Sequence, residues 1–599
     1  MMQDNELRNE RTVNDIKLFK RLFVYMKPYI WNYVLGLILM SIVVGLDILS
    51  PYLMSLSLAE LGKKEIVFSN VVILFAISIV TIVLMNVVQY FQTMLMHKTG
   101  NKIIYKIRLD VFNHIQSLSH HQFSEIPVGT LVTRNTSDTN VLYQLYTNVI
   151  VNMIKYVVTI VGVFVAMMLL NVKLGLIILA IFPIIVVLTI VFRVVVRRVH
   201  RKVRTEVSNM NAFLSENISG MKTTQIFNQE EKKYNEFRKA NNNLKKASLK
   251  EIMAFGLYRP SIYLIYIATV ILILWTGGNE FISFSLGLTT VAIAFNELYA
   301  FYQYILKFFN PIQSLADQFN VLQSSFAAAE KIFKVLDIEP EIKDSVDAVD
   351  IDLKGEIEFK NVWFKYVDDE WVLKDVSFKI KPSEVVAFVG ATGAGKSTII
   401  GLITRNYDIQ KGQILIDGID IKMIKLSSLR SQIGQMLQDV FLFSGTIEEN
   451  IRLNDPDITE EEIIKACDEV NATHFINKQK NGIKAIVGER GNNLSLGEKQ
   501  LISFARVIVH KPKIMMLDES TSNIDTETEM LIQESLEKVI KKNTMIMVAH
   551  RLSTIQHATR IYVFDHGKII ESGNHQELLS NKGRYYQLYK LQYQRHSGK

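Results

Sequence analysis

Cysteine is nearly absent from this sequence of 599 residues, which contains only Cys467. One thiol cannot form a disulfide within the chain, and it cannot build a cysteine-based metal cluster. We therefore expect Cys467 to be a packing residue in a helix of the second half of the chain.

The sequence also lacks a recognisable secretory signal peptide. Residues 1–28 are charged and mildly amphipathic, whereas a signal peptide has a short apolar core and a cleavage site with small residues. We expect this N-terminal segment to lie in the cytoplasm. Membrane insertion would then depend on the apolar segments that follow it.

The positive charge of the chain has a local explanation. The formal net charge is +8, but basic residues cluster beside apolar segments, where anionic lipid and membrane topology favour them. The clearest cluster consists of Arg193, Arg197, Arg198, Arg201, Lys202 and Arg204. This placement indicates contact with membrane lipid and argues against a nucleic-acid partner.

Charged residues are scarce in six long apolar segments of the first half. Each segment is close to the length of about 20 residues that a helix needs to cross a hydrocarbon core. The predicted spans are residues 29–52, 70–95, 145–170, 173–195, 253–277 and 286–309.

The two long connections between these spans, 96–144 and 196–252, are polar and rich in Lys and Arg. The positive-inside rule places them in the cytoplasm, together with the N-terminus and the second half of the chain. Their helical periodicity predicts that the membrane helices continue beyond the bilayer. Proline or glycine breaks the pattern near residues 123–129 and 216–221, where we predict helical reversals.

Few polar side chains interrupt the predicted spans. An ionisable group is costly in hydrocarbon, so such residues face the bundle interior or water. Asp47, Asn296 and Glu297 are therefore candidates for a substrate pathway. Pairing of Asp47 or Glu297 with Lys155 as an interhelical contact explains the same pattern equally well.

The second half contains a glycine-rich loop that follows an apolar strand pattern and precedes a helix pattern. The loop reads Gly-Ala-Thr-Gly-Ala-Gly-Lys-Ser, a spacing that lets backbone N–H groups surround a phosphate. Lys396 neutralises the terminal phosphates, and the Ser397 hydroxyl can bind Mg²⁺. The predicted phosphate-binding residues are Gly390, Ala391, Thr392, Gly393, Ala394, Gly395, Lys396, Ser397 and Thr398.

Four further positions suit phosphate chemistry. An apolar run ends in Asp518, which we assign to Mg²⁺ through water, and in Glu519, which we assign as the general base that polarises the attacking water. A second apolar run ends in His550, which would contact the γ-phosphate and hold the carboxylate and water in line. Gln438 offers a neutral amide that can reach Mg²⁺ or this water.

Two more elements complete the order of motifs. Tyr366 precedes the glycine-rich loop and has an aromatic face that can stack on adenine. Residues 494–500 read Leu-Ser-Leu-Gly-Glu-Lys-Gln and precede a helical stretch. The whole order resembles the ATP-binding cassette (ABC) family, and with the six preceding spans the chain resembles a half-transporter of the exporter type.

The resemblance implies a membrane all-α domain of six helices with long cytoplasmic extensions, followed by an α/β P-loop ABC nucleotide-binding domain. It also implies that the two predicted reversals are coupling helices, near residues 119–130 and 213–225. The expected boundaries are an N-terminal segment at 1–28, a transmembrane domain at 29–333, a linker at 334–354, a nucleotide-binding domain at 355–592 and a tail at 593–599.

The resemblance also implies a dimer that binds ATP and Mg²⁺. Each ATP would lie between the phosphate loop of one subunit and the signature loop of the other. The residues that would hold Mg²⁺ are Ser397, Gln438 and Asp518. The other assigned roles are adenine stacking for Tyr366, coupling for Gln438, signature contacts for Ser495 and Gly497, the loop beside the signature for Glu489, and communication across the dimer for Asp525.

The signature loop departs from the pattern of the family, which is Leu-Ser-Gly-Gly-Gln. Here Leu496 replaces the first glycine and Glu498 replaces the glutamine. Leu496 adds a side chain where the backbone must approach a phosphate, and Glu498 adds an anion near a polyphosphate. We expect the ATP site that this loop completes to be impaired.

This loop serves the ATP bound by the partner, so the defect and the intact phosphate loop belong to different sites. A different partner with a standard signature and a non-catalytic replacement for its general base would leave one competent and one degenerate site. The chain resembles the competent-carboxylate subunit of bacterial heterodimeric multidrug exporters. A homodimer that tolerates the variation is the alternative.

We expect a plasma-membrane exporter of amphipathic compounds, with drugs, lipids and peptides all compatible with the sequence. A homodimeric lipid or drug flippase is one alternative. An ATP-gated conduit or an importer built on the exporter fold is another. The apolar spans exclude a soluble cassette ATPase.

Overall fold

The computed structural model describes residues 16–63, 66–285, 295–366, 370–436, 440–453, 455–518, 530, 534–535, 543–548, 555–556 and 558–597. The chain divides into two compact units. The helical unit comprises Met1–Gln116 and Val128–Ile338, and the mixed unit comprises Ser117–Pro127 and Glu339–Lys599.

Long helices dominate the first 338 residues. They are α1 (16–26), α2 (Ile30–Leu61), α3 (Phe68–Ser117), α4 (His120–Glu125), α5 (Val128–Leu170), α6 (Val172–Ser219), α7 (Met221–Ile226), α8 (Glu230–Ser285) and α9 (Phe295–Leu336). Helix α4 belongs to the mixed unit, and the other helices belong to the helical unit.

Within the described residues, five helices are long and apolar enough to cross a membrane, namely the stretch that contains α2 and the helices α3, α5, α6 and α8. The predicted sixth span, 286–309, lies partly outside the described residues, and α9 begins at Phe295. Helices α3, α6 and α8 have 50, 48 and 56 residues. At 1.5 Å per residue each is more than twice the thickness of a hydrocarbon core, which confirms the predicted helical extensions.

Buried tyrosines tie the N-terminal helix to the bundle. The Tyr146 hydroxyl donates to the backbone oxygen of Leu22 at 2.9 Å, and the Tyr33 hydroxyl donates to the backbone oxygen of Tyr146 at 2.8 Å. Arg21 donates two hydrogen bonds to the Asp337 carboxylate at 2.7 and 2.8 Å. Helix α1 is therefore fixed both to α5 and to the residue that follows α9.

The long helices pack along one another, and one apolar cluster joins α5, α6, α8 and α9. Helix α6 packs along α8, where the rings of Phe192 and Tyr258 stack with centroids 3.6 Å apart. Helix α9 packs against α2 and α5. The Tyr304 hydroxyl of α9 donates to the backbone oxygen of Ile48 in α2 at 2.8 Å, so α2 and α9 are joined by a polar contact.

The described residues of the mixed unit form three β-sheets. Its strands are β1 (Ile357–Phe364), β2 (Leu373–Ile380), β3 (Val385–Gly390), β4 (Lys411–Ile416), β5 (Ile419–Asp420), β6 (Ile433–Met436), β7 (Gly445–Thr446), β8 (Ile486–Val487), β9 (Ile514–Asp518), β10 (Thr544–Val548), β11 (Arg560–Asp565) and β12 (Lys568–Gly573). Among the described residues, a four-stranded sheet has the antiparallel order β2-β1-β4-β5, and a larger, six-stranded sheet has the order β12-β11-β3-β10-β9-β6. Strands β7 and β8 form a separate antiparallel pair. Strands β11, β3, β10, β9 and β6 are parallel.

Helices cover this larger sheet. The described helices of the mixed unit, besides α4, are α10 (Lys396–Ile403), α11 (Leu426–Ser431), α12 (Ile447–Arg452), α13 (Glu460–Glu469), α14 (Thr473–Ile476), α15 (Leu496–Val509), α16 (His575–Ser580) and α17 (Arg584–Ser597). Strand β3 lies between two apolar clusters, because Val385 and Ala387 belong to one and Val386 and Phe388 to the other. Burial on both faces explains its uninterrupted apolar sequence.

The single cysteine lies in the first of these clusters. Cys467 is buried in α13, as the sequence predicts for a packing residue. Burial raises the pKa of its thiol to about 12, and the thiol therefore stays protonated at neutral pH.

The segment around α4 packs within the mixed unit. Ser119 and Gln122 form a capping box at the start of α4. The Gln122 amide donates to the backbone oxygen of Glu339 at 2.7 Å, and the Ser119 hydroxyl donates to the Glu341 carboxylate at 3.0 Å. A short helix thus stands at the first predicted reversal, and α7 stands at the second, after Gly220.

Candidate nucleotide-binding site

Three parallel strands bring the candidate site residues to one edge of the larger sheet. Val548, the last residue of β10, pairs with Phe388 of β3 on one side and with Asp518 of β9 on the other. The carboxyl ends of the three strands are therefore adjacent. Ligands of open parallel sheets bind at such an edge.

The glycine-rich loop leaves β3 at this edge and enters α10 at Lys396. Gly393 and Gly395 have φ angles of +84° and +99°, which side chains rarely adopt. A Cβ atom on Gly395 would lie 2.7 Å from Cδ2 of Leu373, so the close approach of loop and strand also requires glycine there. The loop can thus turn its N–H groups toward an anion at the N-terminus of α10.

Lys396 is the buried charge of this loop, with 5% of its surface exposed. Its ammonium group donates to the backbone oxygens of Gly390 and Ala391 at 2.8 and 2.9 Å. Burial lowers the pKa of Lys396, and the nearby Asp518 carboxylate partly opposes this shift. Phosphate oxygens would be stronger acceptors for this ammonium group than the loop carbonyls.

The remaining loop residues divide into an exposed mouth and a buried base. Ala391, Thr392 and Ser397 are exposed, whereas Ala394 and Thr398 are buried. The Ser397 hydroxyl and the Asp518 carboxylate supply oxygen atoms, the ligand type that Mg²⁺ prefers. Ser397 follows Lys396 in the sequence. The Asp518 carboxylate is close enough to Lys396 for its charge to raise the pKa of the ammonium group. The described residues therefore fit a magnesium-bound triphosphate.

Tyr366 lies beside the base of the loop. Its hydroxyl donates to Oγ1 of Thr398 at 3.0 Å, and 41% of the residue surface is exposed. Burial of the phenol raises the pKa of Tyr366, so the hydroxyl remains a donor at neutral pH. The ring thus has an accessible surface and a fixed hydroxyl.

Four of the predicted site residues lie outside the described residues: Gln438, Glu519, Asp525 and His550. The chain before three of them is described. Asp518 ends β9, Val548 ends β10 two residues before the histidine, and Met436 ends β6 and pairs with Leu517 of β9. Their roles stay predictions.

Comparisons with known proteins identify both halves. The family model described as "ABC transporter transmembrane region" matches residues 31–311. The model described as "ABC transporter" matches residues 373–522. The "Probable multidrug resistance ABC transporter ATP-binding/permease protein YheH" of Bacillus subtilis is 38% identical over 85% of this chain and 75% of its own length.

Two further relatives extend over almost the whole chain. The "ATP-dependent lipid A-core flippase" of Syntrophus aciditrophicus is 33% identical over 96% of this chain and 94% of its own length. A solved structure of a bacterial Atm1-family ABC exporter with ATP bound matches 93% of this chain and 98% of that chain, with a TM-score of 0.75 and 26% identity.

The chain belongs to the ABC transporter family. It is an ABC exporter: a multi-pass membrane protein whose cytoplasmic nucleotide-binding domain binds ATP and couples its hydrolysis to transport. ABC exporters act as dimers, so the nucleotide site described above needs a second subunit for its completion.

The ABC signature loop lies at the start of α15. Ser495 is the N-cap residue, and its hydroxyl oxygen accepts a hydrogen bond from the Glu498 N–H at 3.3 Å. The Glu498 carboxylate accepts a hydrogen bond from the Ser495 N–H at 2.7 Å. Gly497 is buried and Leu496 is 41% exposed. The substituted Glu498 is therefore part of the capping box that forms the signature.

The loop beside the ABC signature is fastened to the same helix. Glu489 begins a short helical turn in which Arg490 has a φ of +53°. The Lys499 ammonium group donates to the backbone oxygen of Arg490 at 3.1 Å. A displacement of the signature helix would therefore also move the segment that contains Glu489.

Lys155 is one partner that the sequence allows for the intramembrane carboxylate of Asp47, and the structure gives a different one. Asp47 in α2 forms an ion pair and a hydrogen bond with Lys307 in α9, and Lys155 is not its partner. Packing of α9 against α2 places these side chains together. The pair supports an interhelical role for Asp47.

Asn296 and Glu297 lie in the first turn of α9 and are half-buried. Their place in a substrate pathway stays a prediction.

Sequence reasoning missed two residues that matter for these sites. Lys307 lies within the predicted sixth span, and a lone cation in an apolar segment is itself a signal for an acidic partner. Tyr407 is the second, and its ring lies against that of Tyr366, with centroids 5.1 Å apart. No motif in the sequence distinguishes this tyrosine from an ordinary core residue.

We expect Asp47→Asn to lower the free energy of unfolding of the exporter by roughly 1–3 kcal/mol, because Lys307 keeps its charge and loses its carboxylate partner. The unfolding midpoint in lipid discs measures the effect. The exchange of Asp47→Lys with Lys307→Asp should restore most of the loss. Lys155→Met is the control and should change little; equal effects of Asp47→Asn and Lys155→Met would contradict the pairing.

Proposed function

We propose that this exporter is one subunit of a heterodimer that moves amphipathic compounds out of the cell, and that its own phosphate loop forms the hydrolysing site. The capping box of Ser495 and Glu498 carries the proposal of a different partner. The phosphate loop and the acidic pair at the end of β9 follow the family pattern, whereas the signature that completes the partner's site does not.

The signature substitution changes charge and leaves the helix start intact. In the family pattern Leu-Ser-Gly-Gly-Gln, the glutamine stands at the position of Glu498, and glutamine forms the same capping box as glutamate. Here the acceptor on the Ser495 N–H is a carboxylate. A γ-phosphate that approaches this helix N-terminus would meet a negative charge already bound to one of its donors. The site completed by this loop is therefore weakened for ATP.

The site built on this subunit's own loop keeps the groups that hydrolysis requires. Ser397, Asp518 and Gln438 would hold Mg²⁺, which neutralises phosphate charge in the transition state. Lys396 binds the terminal phosphates, and Glu519, directly after Asp518, polarises the attacking water. His550, which follows the neighbouring strand, holds that water and the carboxylate in line. Asp525 communicates with the partner subunit.

Exposed apolar side chains support the dimeric arrangement. In the helical unit, Met221, Ile226 and Phe227 at α7 have exposed fractions of 45, 66 and 68%. In the mixed unit, Phe441 and Phe443 are 50 and 58% exposed, and their rings meet edge to face at 5.2 Å. Clustered apolar residues on a cytoplasmic surface favour docking. The occupant we propose is the partner subunit, with α4 and α7 as coupling helices.

The energy for transport comes from a shift between conformations. ATP must bind the closed arrangement of the two nucleotide-binding domains more tightly than the open one, or it would shift nothing. The helices α3, α5, α6 and α8 extend beyond the bilayer and would carry this closure into the membrane. Hydrolysis at the competent site then allows the domains to separate.

The substrate class follows from the relatives and from the sparse charge of the spans. One relative is named for multidrug resistance and another for lipid A-core flipping. The second name favours a lipid as the substrate, and a homodimeric lipid or drug flippase is the alternative. An ATP-gated conduit differs from an exporter because it cannot move substrate against its gradient. An importer differs in the direction of flux.

We expect Glu519→Gln to reduce ATP hydrolysis by at least about 100-fold, because the attacking water loses its general base. ATP binding should persist. Inside-out vesicles should accumulate an amphipathic dye against its gradient with the natural protein and not with this variant. Glu534→Gln, a described acidic residue further along the chain, is the matched control. Unchanged hydrolysis in Glu519→Gln, or flux only down the gradient, would contradict the proposal.

Purification from native membranes tests the partner directly. We expect a tagged copy of this chain to bring down a second, different half-transporter in a one-to-one ratio, because each subunit supplies half of both ATP sites. Mass spectrometry of the intact complex measures the ratio. Dimers that contain this chain alone would favour the homodimeric flippase.

We expect Glu498→Gln to tighten ATP binding at one of the two sites by about 3- to 10-fold, because it removes one negative charge and keeps the capping box. Turnover of the heterodimer should hardly change, because the partner's ATP site has a non-catalytic replacement for its general base in this proposal. Glu577→Gln makes the same change in the capping box of α16 and should leave ATP binding unaltered. An unchanged affinity in Glu498→Gln would show that the charge is not responsible.

A further inference from the structure

Tyr407 lies at the centre of a cluster of aromatic rings in the mixed unit. Its ring meets the edge of Tyr366 with centroids 5.1 Å apart and an interplanar angle of 83°. It also lies 5.6 Å from the ring of Phe364, the last residue of β1. Edge-to-face pairs at this spacing are attractive and fix the orientation of both rings.

The second restraint on Tyr366 is the hydrogen bond from its hydroxyl to Thr398 in α10. One hydrogen bond fixes the position of the phenol oxygen but leaves the ring free to tilt about that point. The ring of Tyr407 limits this tilt, and so does the ring of Phe364, which meets that of Tyr366 edge to face with centroids 4.8 Å apart. Together the three contacts determine the plane of the surface on which an adenine would stack.

Helix α10 accommodates the Tyr407 ring at a glycine. A Cβ atom on Gly401 would lie 3.4 Å from both Cδ2 and Cε2 of Tyr407, so the ring rests directly on the helix that begins at the phosphate loop. Tyr407 therefore contacts the proposed adenine surface and the phosphate-binding helix at once.

The same ring also lies against α4. The rings of His120 and His121 lie 6.4 and 6.3 Å from that of Tyr407, at angles of 84° and 65°. The bonds from Gln122 to Glu339 and from Ser119 to Glu341 hold this end of α4 in place. All these residues belong to the mixed unit. Tyr407 thus links Tyr366 to α4 through direct contacts.

We propose that Tyr407 is a positioning residue for adenine. The Tyr407 ring holds the Tyr366 ring in the plane that stacks on the base, and His120 and His121 of α4 support the Tyr407 ring. The inference rests on the proposed function, in which Tyr366 binds adenine. Because α4 follows α3 and precedes α5 along the chain, the affinity for the base becomes dependent on the segment that connects two membrane helices.

The test compares ATP with inorganic triphosphate, which has the same phosphates and no base. In the purified complex containing the full chain, we expect Tyr407→Leu to weaken ATP binding by about 3- to 10-fold, the range of a lost aromatic pair. Triphosphate binding should be unchanged. Tyr407→Phe keeps the ring and should bind ATP like the natural protein.

A double variant separates positioning from a general loss of structure. In the presence of Tyr366→Ala, the change Tyr407→Leu should have no further effect on ATP affinity, because no ring remains to be oriented. Effects that add fully, or an equal loss for ATP and triphosphate, would overturn the proposal.

A further variant keeps the test decisive if Tyr407→Leu does not fold. His120→Ala with His121→Ala leaves Tyr407 in place and removes its support from α4, so ATP binding should weaken by about 2- to 5-fold with triphosphate binding unchanged. An unchanged affinity for ATP would overturn the role of α4. If Tyr366→Ala alone does not weaken ATP binding, the proposed adenine site itself fails, and this outcome is distinct from failure of the Tyr407 inference.

Discussion

The nucleotide site depends on the parallel register of β3, β10 and β9. Val548 pairs with residues of both neighbours, so the glycine-rich loop and Asp518 leave the same edge of the sheet on either side of β10. Strand β3 is buried on both faces, and a slip of one residue would move Phe388 into the cluster that now holds Ala387. The electrostatic interaction of Lys396 with Asp518 is a consequence of this pairing. Every role proposed for the loop assumes it.

The sequence predicts those parts of the molecule whose signal is local. Apolar runs of twenty residues, the glycine spacing of the loop and the strand before Asp518 each follow from neighbours in the chain, and the structure has these elements. The ion pair of Asp47 joins residues 260 positions apart, and the contact of His121 with Glu341 spans 220. Such pairs depend on how helices and strands pack, which periodicity does not specify. This is why the partner of Asp47 and the position of Tyr407 escaped prediction.

In the proposed dimer, the signature residues at the start of α15 have two separate tasks, to begin a helix in their own subunit and to contact a phosphate bound by the partner. Serine at the N-cap and glutamate three residues later satisfy the start of α15 as well as glutamine would. The fold of one subunit therefore imposes no penalty on the substitution. In the proposed function, its cost falls on a phosphate bound by the partner subunit. A residue of this kind can change without destabilising its own domain, which allows two subunits of a pair to diverge in their sites.

The packing of residues 117–127 with the mixed unit makes the nucleotide-binding domain discontinuous in sequence. A domain cut at residue 339 would retain all the described strands, yet the Glu339 carbonyl and the Glu341 carboxylate would lose Gln122 and Ser119. Chimaeras that exchange nucleotide-binding domains between relatives therefore need to transfer this eleven-residue segment as well. Without it, each domain would be paired with a connecting helix selected for a different surface.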